Sequence, residues 1–343
     1  MNLPFFDKLG KREIVGLDMG HAETRFIRMR EGEAVSKWNY PGSLLEEAVN
    51  FREFLKANRL QGISVAANIE DPSLKIRKVD LPKMPESDLG EAVRWEMRDI
   101  VDGPIEEFVV RRSLIEEYRS GDTARLSMVA YAINKKAVRG LTSFLRGFGL
   151  NPVIVEPQAV SLAAALERIH GFQPSEYYGL IDIGETRSVF IAAGEGRLLF
   201  SRPLPGISGR ELTTFIRKEL EMGHRKAEDI KGMLVGAPGV PEVSAPMREK
   251  AEAILPGFHT RLAIEGQRSV DAFALMFRRE KVNKLFLTGG GARLSGLELY
   301  LAANLGIPTK VLDPSDVLKM PTESAHLYNV AVGLALHSAT SQK

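Results

Sequence analysis

The chain repeats itself. An apolar strand that ends in Asp-x-Gly occurs at residues 13–20, closing on Asp18-Met-Gly20, and again at 180–184, closing on Asp182-Ile-Gly184. After the first copy, residues 25–29 and 34–38 read as two further strands, with turns at Gly20 and at Glu31-Gly32-Glu33. After the second, residues 188–193 and 198–202 do the same around Gly194-Glu-Gly196. Each meander runs into a helix. One opens at Ser43 with Leu44, Ala48, Phe51 and Leu55 on one face, and the other covers 211–222. A chain of 343 residues can fill two hydrophobic cores, so the duplication predicts two lobes of one α/β plan.

Between the copies lies a segment built differently, over residues 73–155. Leu81-Pro-Lys-Met-Pro85 is stiff, because each proline bars the residue before it from helix. An amphipathic helix follows over 86–101, then strands at 108–116 and 125–133 around Ser120-Gly-Asp122. A second helix over 135–148, ended by Gly149, and a strand at 152–155 complete the reading. The order predicts a small α+β unit inserted in the first lobe. Residues 158–169 form a helix with Ala159, Leu162, Ala163, Leu166 and Ile169 on one face. Leu327, Val330, Ala331 and Leu334 share a face near the end of the chain. The expected division is a first lobe of 1–72, 156–176 and a returning helix in 324–343, an insertion of 73–155, and a second lobe of 177–323.

Composition removes several function classes. Lysine and arginine number 46 against 44 acids, a net charge of +2 that gives no reason to expect a nucleic-acid partner. The chain has no cysteine, which excludes disulfides, thiolate metal sites and a cysteine nucleophile. No apolar run approaches the ~20 residues of a spanning helix. The apolar start, Leu3–Phe6, is followed at once by Asp7, Lys8, Lys11 and Arg12, so no secretory signal is read and a cytoplasmic location is expected. That short patch is read as packing over a groove, as mobile, or as touching a membrane or a partner. The six histidines show no paired metal spacing, and neither a Gly-x-Ser-x-Gly elbow nor a Walker loop is present. No residue is assigned a catalytic role.

The two Asp-x-Gly turns share a mechanical logic. A glycine after a buried strand lets the backbone turn tightly and brings N–H groups toward phosphate oxygens. The aspartates, Asp18 and Asp182, can hold a hydrated Mg²⁺ through its water shell. A third element is Leu285-Phe-Leu-Thr288-Gly-Gly-Gly291-Ala-Arg293, where Gly289, Gly290 and Gly291 strip a strand-to-helix loop of side chains and leave a flat surface for a base or ribose. Ser295 and Glu298 have the spacing of a capping box for the next helix.

Asp18, Asp182 and the Thr288–Arg293 loop, in this order, resemble the two phosphate motifs and the adenosine motif of the actin and sugar-kinase superfamily. Leu81-Pro-Lys-Met-Pro-x-x-x-Leu89 with Ala92-x-x-x-Glu96 resembles the inserted subdomain of the PilM family, kin of the cell-division protein FtsA. Glu211-Leu-Thr and Ala227-Glu-Asp-Ile-Lys231 also match family positions. The resemblance covers essentially the whole chain. It implies an α/β, actin-like fold of two ribonuclease-H-like lobes with an FtsA-like inserted α+β subdomain. It implies ATP and Mg²⁺ between the lobes, with at most weak ATPase activity. It also implies an inner-membrane-associated role in type IV pilus assembly and twitching motility. The partners it implies are the cytoplasmic tail of a PilN-like membrane protein and the pilus motor apparatus, with self-association possible in such a fold. Carried onto this sequence, Asp18, Gly20, Asp182, Gly184 and Thr186 would face phosphate, and Gly289–Gly291 adenosine. Glu228 and Lys231 would flank adenine.

The first turn departs from the family pattern, reading Gly20-His21-Ala-Glu23-Thr24-Arg25 where small hydroxyl residues and a lysine are usual. Arg25 is expected to serve as the phosphate cation in place of the lysine. Glu23 and Glu185 bring carboxylates into turns meant to meet a polyphosphate, and Gly206-Ile-Ser-Gly209 replaces adjacent glycines. A nucleotide-free scaffold of the same fold, as in the cytoplasmic domain of the type II secretion protein GspL, is the alternative these departures leave open. A small-molecule kinase is disfavoured by the short chain and the lack of a recognisable sugar-binding region.

Overall fold

The computed structural model describes residues 13–44, 48, 50–194, 196–278, 282–319 and 324–337. The Leu3–Phe6 patch lies outside them, as do residues 338–343 of the expected terminal helix. The first sheet is built from β1 (Ile14–Met19), β2 (Glu23–Arg30), β3 (Glu33–Pro41), β4 (Ser64–Ile69) and β8 (Asn151–Pro157), in the order β3-β2-β1-β4-β8. The second uses β9 (Tyr178–Ile183), β10 (Ser188–Gly194), β11 (Arg197–Leu204), β12 (Lys284–Thr288) and β13 (Thr309–Val311), in the order β11-β10-β9-β12-β13. In both, the strand that carries Asp-x-Gly pairs antiparallel with the next strand and parallel with the fourth. Every residue of β1 and β9 is buried, as befits strands covered on both faces. The predicted duplication is thus a duplication of sheets.

Helices cover these sheets where apolar faces require it. α1 (Phe51–Ala57) begins later than the expected opening at Ser43; residues 45–47 and 49 lie outside the described set. α4 (Gln158–His170) joins the two halves; after the short α9 (Ser315–Leu318), α10 (Asn329–Ala335), preceded by a 3-10 turn at Ala325–Tyr328, packs on α4 and β1. Two glycines make that packing possible. A Cβ on Gly333 would sit 1.9 Å from the Ser161 carbonyl oxygen, and one on Gly16 2.2 Å from that of Ala331. α5 (Gly209–Glu219), α6 (His224–Leu234) and the 33-residue α7 (Ala245–Phe277) cover the second sheet. Ser208 caps α5 by accepting from the Glu211 N–H. α7 runs through Pro256 and had no counterpart in the sequence reading.

The insertion differs from expectation at both ends. A strand, β5 (Lys75–Pro82), stands where no element was expected and runs into Leu81-Pro82, the start of the segment read as a stiff entry. It lies at the edge of a three-stranded sheet ordered β5-β7-β6, and Pro82 is its last paired residue, a position where a missing N–H costs no ladder bond. α2 (Glu86–Met97) packs on this sheet, and β6 (Phe108–Ser120) and β7 (Thr123–Asn134) form a longer hairpin than expected, with Gly121 at φ +60° in the turn. α3 (Lys135–Gly147) and β8, by contrast, belong with the first sheet. β8 pairs parallel with β4, and Leu145 of α3 joins the core of Val15, Phe26 and Phe51. The unit with its own sheet therefore closes at Asn134 rather than at residue 155. It also leans on the second sheet: where β6 bulges between Leu114 and Glu116, the Arg197 guanidinium of β11 donates to the Leu114 carbonyl and, at 2.6 Å, to that of Ile115.

The expected capping box is not formed. α8 (Leu297–Leu305) is preceded by Gly296 at φ +73°, and the Glu298 carboxylate accepts from the Val311 N–H at 2.5 Å instead. The Ser295 N–H is donated to the Leu234 carbonyl.

Candidate functional site

A cavity of about 870 Å³ opens between the carboxyl ends of the two sheets, where open α/β folds place their ligands. Both Asp-x-Gly turns reach it. A Cβ on Gly20 would lie 2.7 Å from the Glu23 carbonyl oxygen, and one on Gly184 2.7 Å from that of Arg187, so each turn closes only with glycine. Asp18, Gly20 and Arg25 line the cavity from the first turn; Asp182, Gly184 and Thr186 line it from the second. Glu228 and Lys231 come from α6, and Gly289, Gly290 and Gly291 from the loop after β12. The cleft thus gathers every residue singled out from the sequence for phosphate, metal or adenosine.

The aspartates are buried and linked. Asn68, at the end of β4, accepts from the Met19 N–H at 2.8 Å and donates to Asp18 Oδ1 at 3.4 Å and to Gln158 Oε1 at 3.3 Å. Gln158 Nε2 in turn donates to Asp182 Oδ2. Burial pushes the Asp18 carboxyl up to about 6; Arg25 acts against this and Glu70 with it. Burial, helped by Glu70 and Asp18, pushes Asp182 up to about 7. Glu70 is also raised by burial and is paired with Arg187 at 3.3 Å, an ion pair from one sheet's side of the cleft to the other's. Asn68, Glu70 and Gln158 were missed by sequence reasoning. Their signal was available: Asn68 and Glu70 sit at and just beyond the end of the strand that follows the first meander, and Gln158 opens a helix directly after Pro157.

The carboxylates that departed from the family pattern have internal partners. Glu23 accepts from Arg25 Nη2 at 2.7 Å, while Arg25 Nη1 stands 3.6 Å from Asp18 and the guanidinium lies over the Tyr328 ring at 5.8 Å. Arg25 is therefore turned onto carboxylates, not presented as a lone phosphate cation. Glu185 accepts from Lys231 Nζ at 3.1 Å, and Lys231 also pairs with Glu228, which accepts from the Thr213 hydroxyl. Glycine at 209 makes room for this, since a Cβ there would lie 2.3 Å from Glu185 Oε2.

The triple glycine has two explanations. At Gly289, φ is +81° and a Cβ would fall 2.2 Å from Asp182 Oδ1; at Gly291 it would fall 2.3 Å from Ile183 Cγ2. These two glycines let the loop close on the end of β9, and Gly290, with open space around it, keeps the bare surface expected for a ligand. Above it, His326 is held down at about 4 by burial and by Arg293 and Arg25, so it is neutral at pH 7.

A polyphosphate with its cation fits the donor set. Among the described residues Thr186 Oγ1 is buried in the cleft without a hydrogen-bond partner and Asp182 makes no ion pair, and both glycine turns line the cavity. Six carboxylates line the cavity against five arginines and lysines, so the lining does not by itself draw in a polyanion, and a divalent ion would offset the difference. Among the described residues no group of three or more histidine, aspartate or glutamate side chains is placed to hold a metal ion by itself.

Comparison with known proteins agrees with this architecture. A solved "PilM-PilN type IV pilus biogenesis complex" is similar at a TM-score of 0.78 and 23% identity, covering 96% of this chain and 99% of that one. MreB5 of Spiroplasma citri bound to ADP matches at a TM-score of 0.57 and 14% identity, over 96% and 97%. The ethanolamine utilization protein EutJ from Carboxydothermus hydrogenoformans matches at 0.56 and 14%, over 98% and 93%. These likenesses establish the actin-like fold. The family model described as type IV pilus assembly protein PilM matches residues 50–339, which takes in the insertion, the second Asp-x-Gly turn and the glycine loop, and the chain belongs to that family.

Proposed function

We propose that this chain is an ATP-binding scaffold of type IV pilus assembly, working at the cytoplasmic face of the inner membrane. The observation that carries the nucleotide part is the pair of Asp-x-Gly turns, set at equivalent ends of two duplicated sheets and facing one cleft. Among the described residues no helix is long and apolar enough to cross a membrane. Family membership, and the likeness to a protein solved in complex with PilN, support a PilN-like cytoplasmic tail as a partner and the pilus motor as a second contact.

Bound Mg²⁺ would supply charge neutralisation for the phosphates. The chain's own residues do the rest. Gly20 and Gly184 let the two turns close tightly, so that the backbone N–H groups around them can be presented to phosphate oxygens, and the Thr186 hydroxyl gains a partner. Asp182 is the carboxylate offered to the ion through its water shell, while Asp18 faces the same cleft with Arg25 Nη1 3.6 Å away. Glu228 and Lys231, fixed to each other and to Glu185, wall the adenosine end with α6, and Gly289–Gly291 floor it. Binding that holds the two sheets in one relation, rather than turnover, is the role assigned.

Calorimetric titration of ATP with Mg²⁺ tests this reading. The expected dissociation constant is about 1–100 μM, weakened more than about tenfold in Asp182→Ala. Absence of heat, in protein shown to carry no retained nucleotide, would favour a nucleotide-free scaffold. The internal pairing of Arg25 and Lys231 is what speaks for that second reading. Failure of a PilN-like tail peptide to bind would count against the pilus role separately.

A further inference from the structure

The two aspartates occupy equivalent places in the duplicated sheets, but their surroundings are not equivalent. In the first hairpin the cross-strand partner of Asp18 is Arg25; in the second the partner of Asp182 is Val189. Antiparallel register therefore builds a cation against one carboxylate and an apolar side chain against the other. Arg25 and Asp18 are both buried, with side-chain exposures of 11% and 7%. The guanidinium is also held from other sides, by Glu23 at 2.7 Å and by the Tyr328 ring. Among the described residues Asp182 accepts from a neutral amide, that of Gln158, and makes no ion pair, the Arg25 charge reaching it from further off than it reaches Asp18.

We propose that Arg25 is the resident counter-ion of Asp18, so that a divalent cation arriving with nucleotide is recruited through Asp182 alone. The proposal rests on the nucleotide reading above and divides the labour within it. A guanidinium fixed beside Asp18 offsets that carboxylate's charge and repels a doubly charged ion approaching the same oxygens. Arginine suits the post because it stays charged at any working pH and its planar fork satisfies two carboxylates at once. Asp182, with no such neighbour, is the carboxylate that an ion relieves. The cleft is then one-sided: the first turn brings its own cation, and the second waits for one.

The test is the ratio of ATP dissociation constants without and with Mg²⁺ (EDTA against excess Mg²⁺), measured by calorimetry on the full chain and its variants. Asp18→Asn is expected to keep the wild-type ratio within about threefold, whereas Asp182→Asn brings it to near unity. Arg25→Gln frees Asp18 and is expected to raise the ratio at least about tenfold, while Arg25→Lys keeps it closer to wild type. A ratio that falls as far in Asp18→Asn as in Asp182→Asn overturns the proposal, as does one unmoved in Arg25→Gln. Because wild type and the two aspartate variants decide the matter, an Arg25 variant that fails to fold does not shield it. No ATP binding in either solution overturns the nucleotide reading and this proposal together. Binding that depends equally on both aspartates overturns this proposal alone.

Discussion

A carboxyl group buried like that of Asp182, with no cation against it, costs the protein stability at neutral pH. Its folded value of about 7 lies above the ordinary 3.8, so the folded state holds a proton that the unfolded state releases. The sign follows: its contribution is fully present below about pH 4 and is lost as pH rises through about 7. Asp182→Asn should therefore stabilise the nucleotide-free protein by a few kcal/mol at pH 8 and by little at pH 4.5, in denaturant titrations at the two values. Equal effects at both would mean that the carboxyl ionises normally. The same substitution removes the ion-recruiting charge, so a gain in stability at the cost of ligand is the expected signature of a functional carboxylate. The site was legible in the sequence to the extent that its residues have unusual types in unusual places: paired aspartates before glycines, and three glycines in a row. What Arg25, Glu23 and Glu185 do was not legible, because it depends on cross-strand register and on α6 delivering Lys231 to Glu185, neither of which spacing encodes.

At the scale of elements, the crossing of α4 and α10 is fixed by what is missing from it. With a Cβ on Gly333 placed 1.9 Å from the Ser161 carbonyl oxygen, and backbone on both sides, neither helix can yield locally. Gly333→Ala is expected to destabilise the fold by about 2–3 kcal/mol, read as a lowered midpoint in urea, because overpacking against backbone forces the helices apart. A shift below about 0.5 kcal/mol would show that the contact relaxes. The meanders were readable because alternation, apolar runs and turn glycines agree over β1–β3 and β9–β11. The ends of the insertion were not. Leu81-Pro82 has the composition of a linker yet sits on a sheet edge, where proline is tolerated, and β8 looks like a continuation of the insertion until its pairing with β4 is seen. The Ser295–Glu298 spacing misled for a related reason: tertiary contact with Val311 outcompeted the local cap.

At the scale of the whole molecule, the cleft is bridged by Arg187–Glu70 and by the chain from Asp18 through Asn68 and Gln158 to Asp182. The insertion makes a further bridge outside it. Arg197→Ala removes donors from two carbonyls at the β6 bulge and is expected to speed amide exchange in the β6–β7 hairpin by about tenfold, with ATP affinity changed less than about threefold. Unchanged exchange would mean that the hairpin is held by its own sheet. The insertion is rooted in the first sheet, through β4 and α3, and propped against the second, through Arg197. Such an arrangement is a strut from one sheet to the other. Any change in the angle between the sheets must either stretch the prop or tilt the β5–β7 sheet, so the posture of an interior cleft is written onto an exterior panel of the molecule.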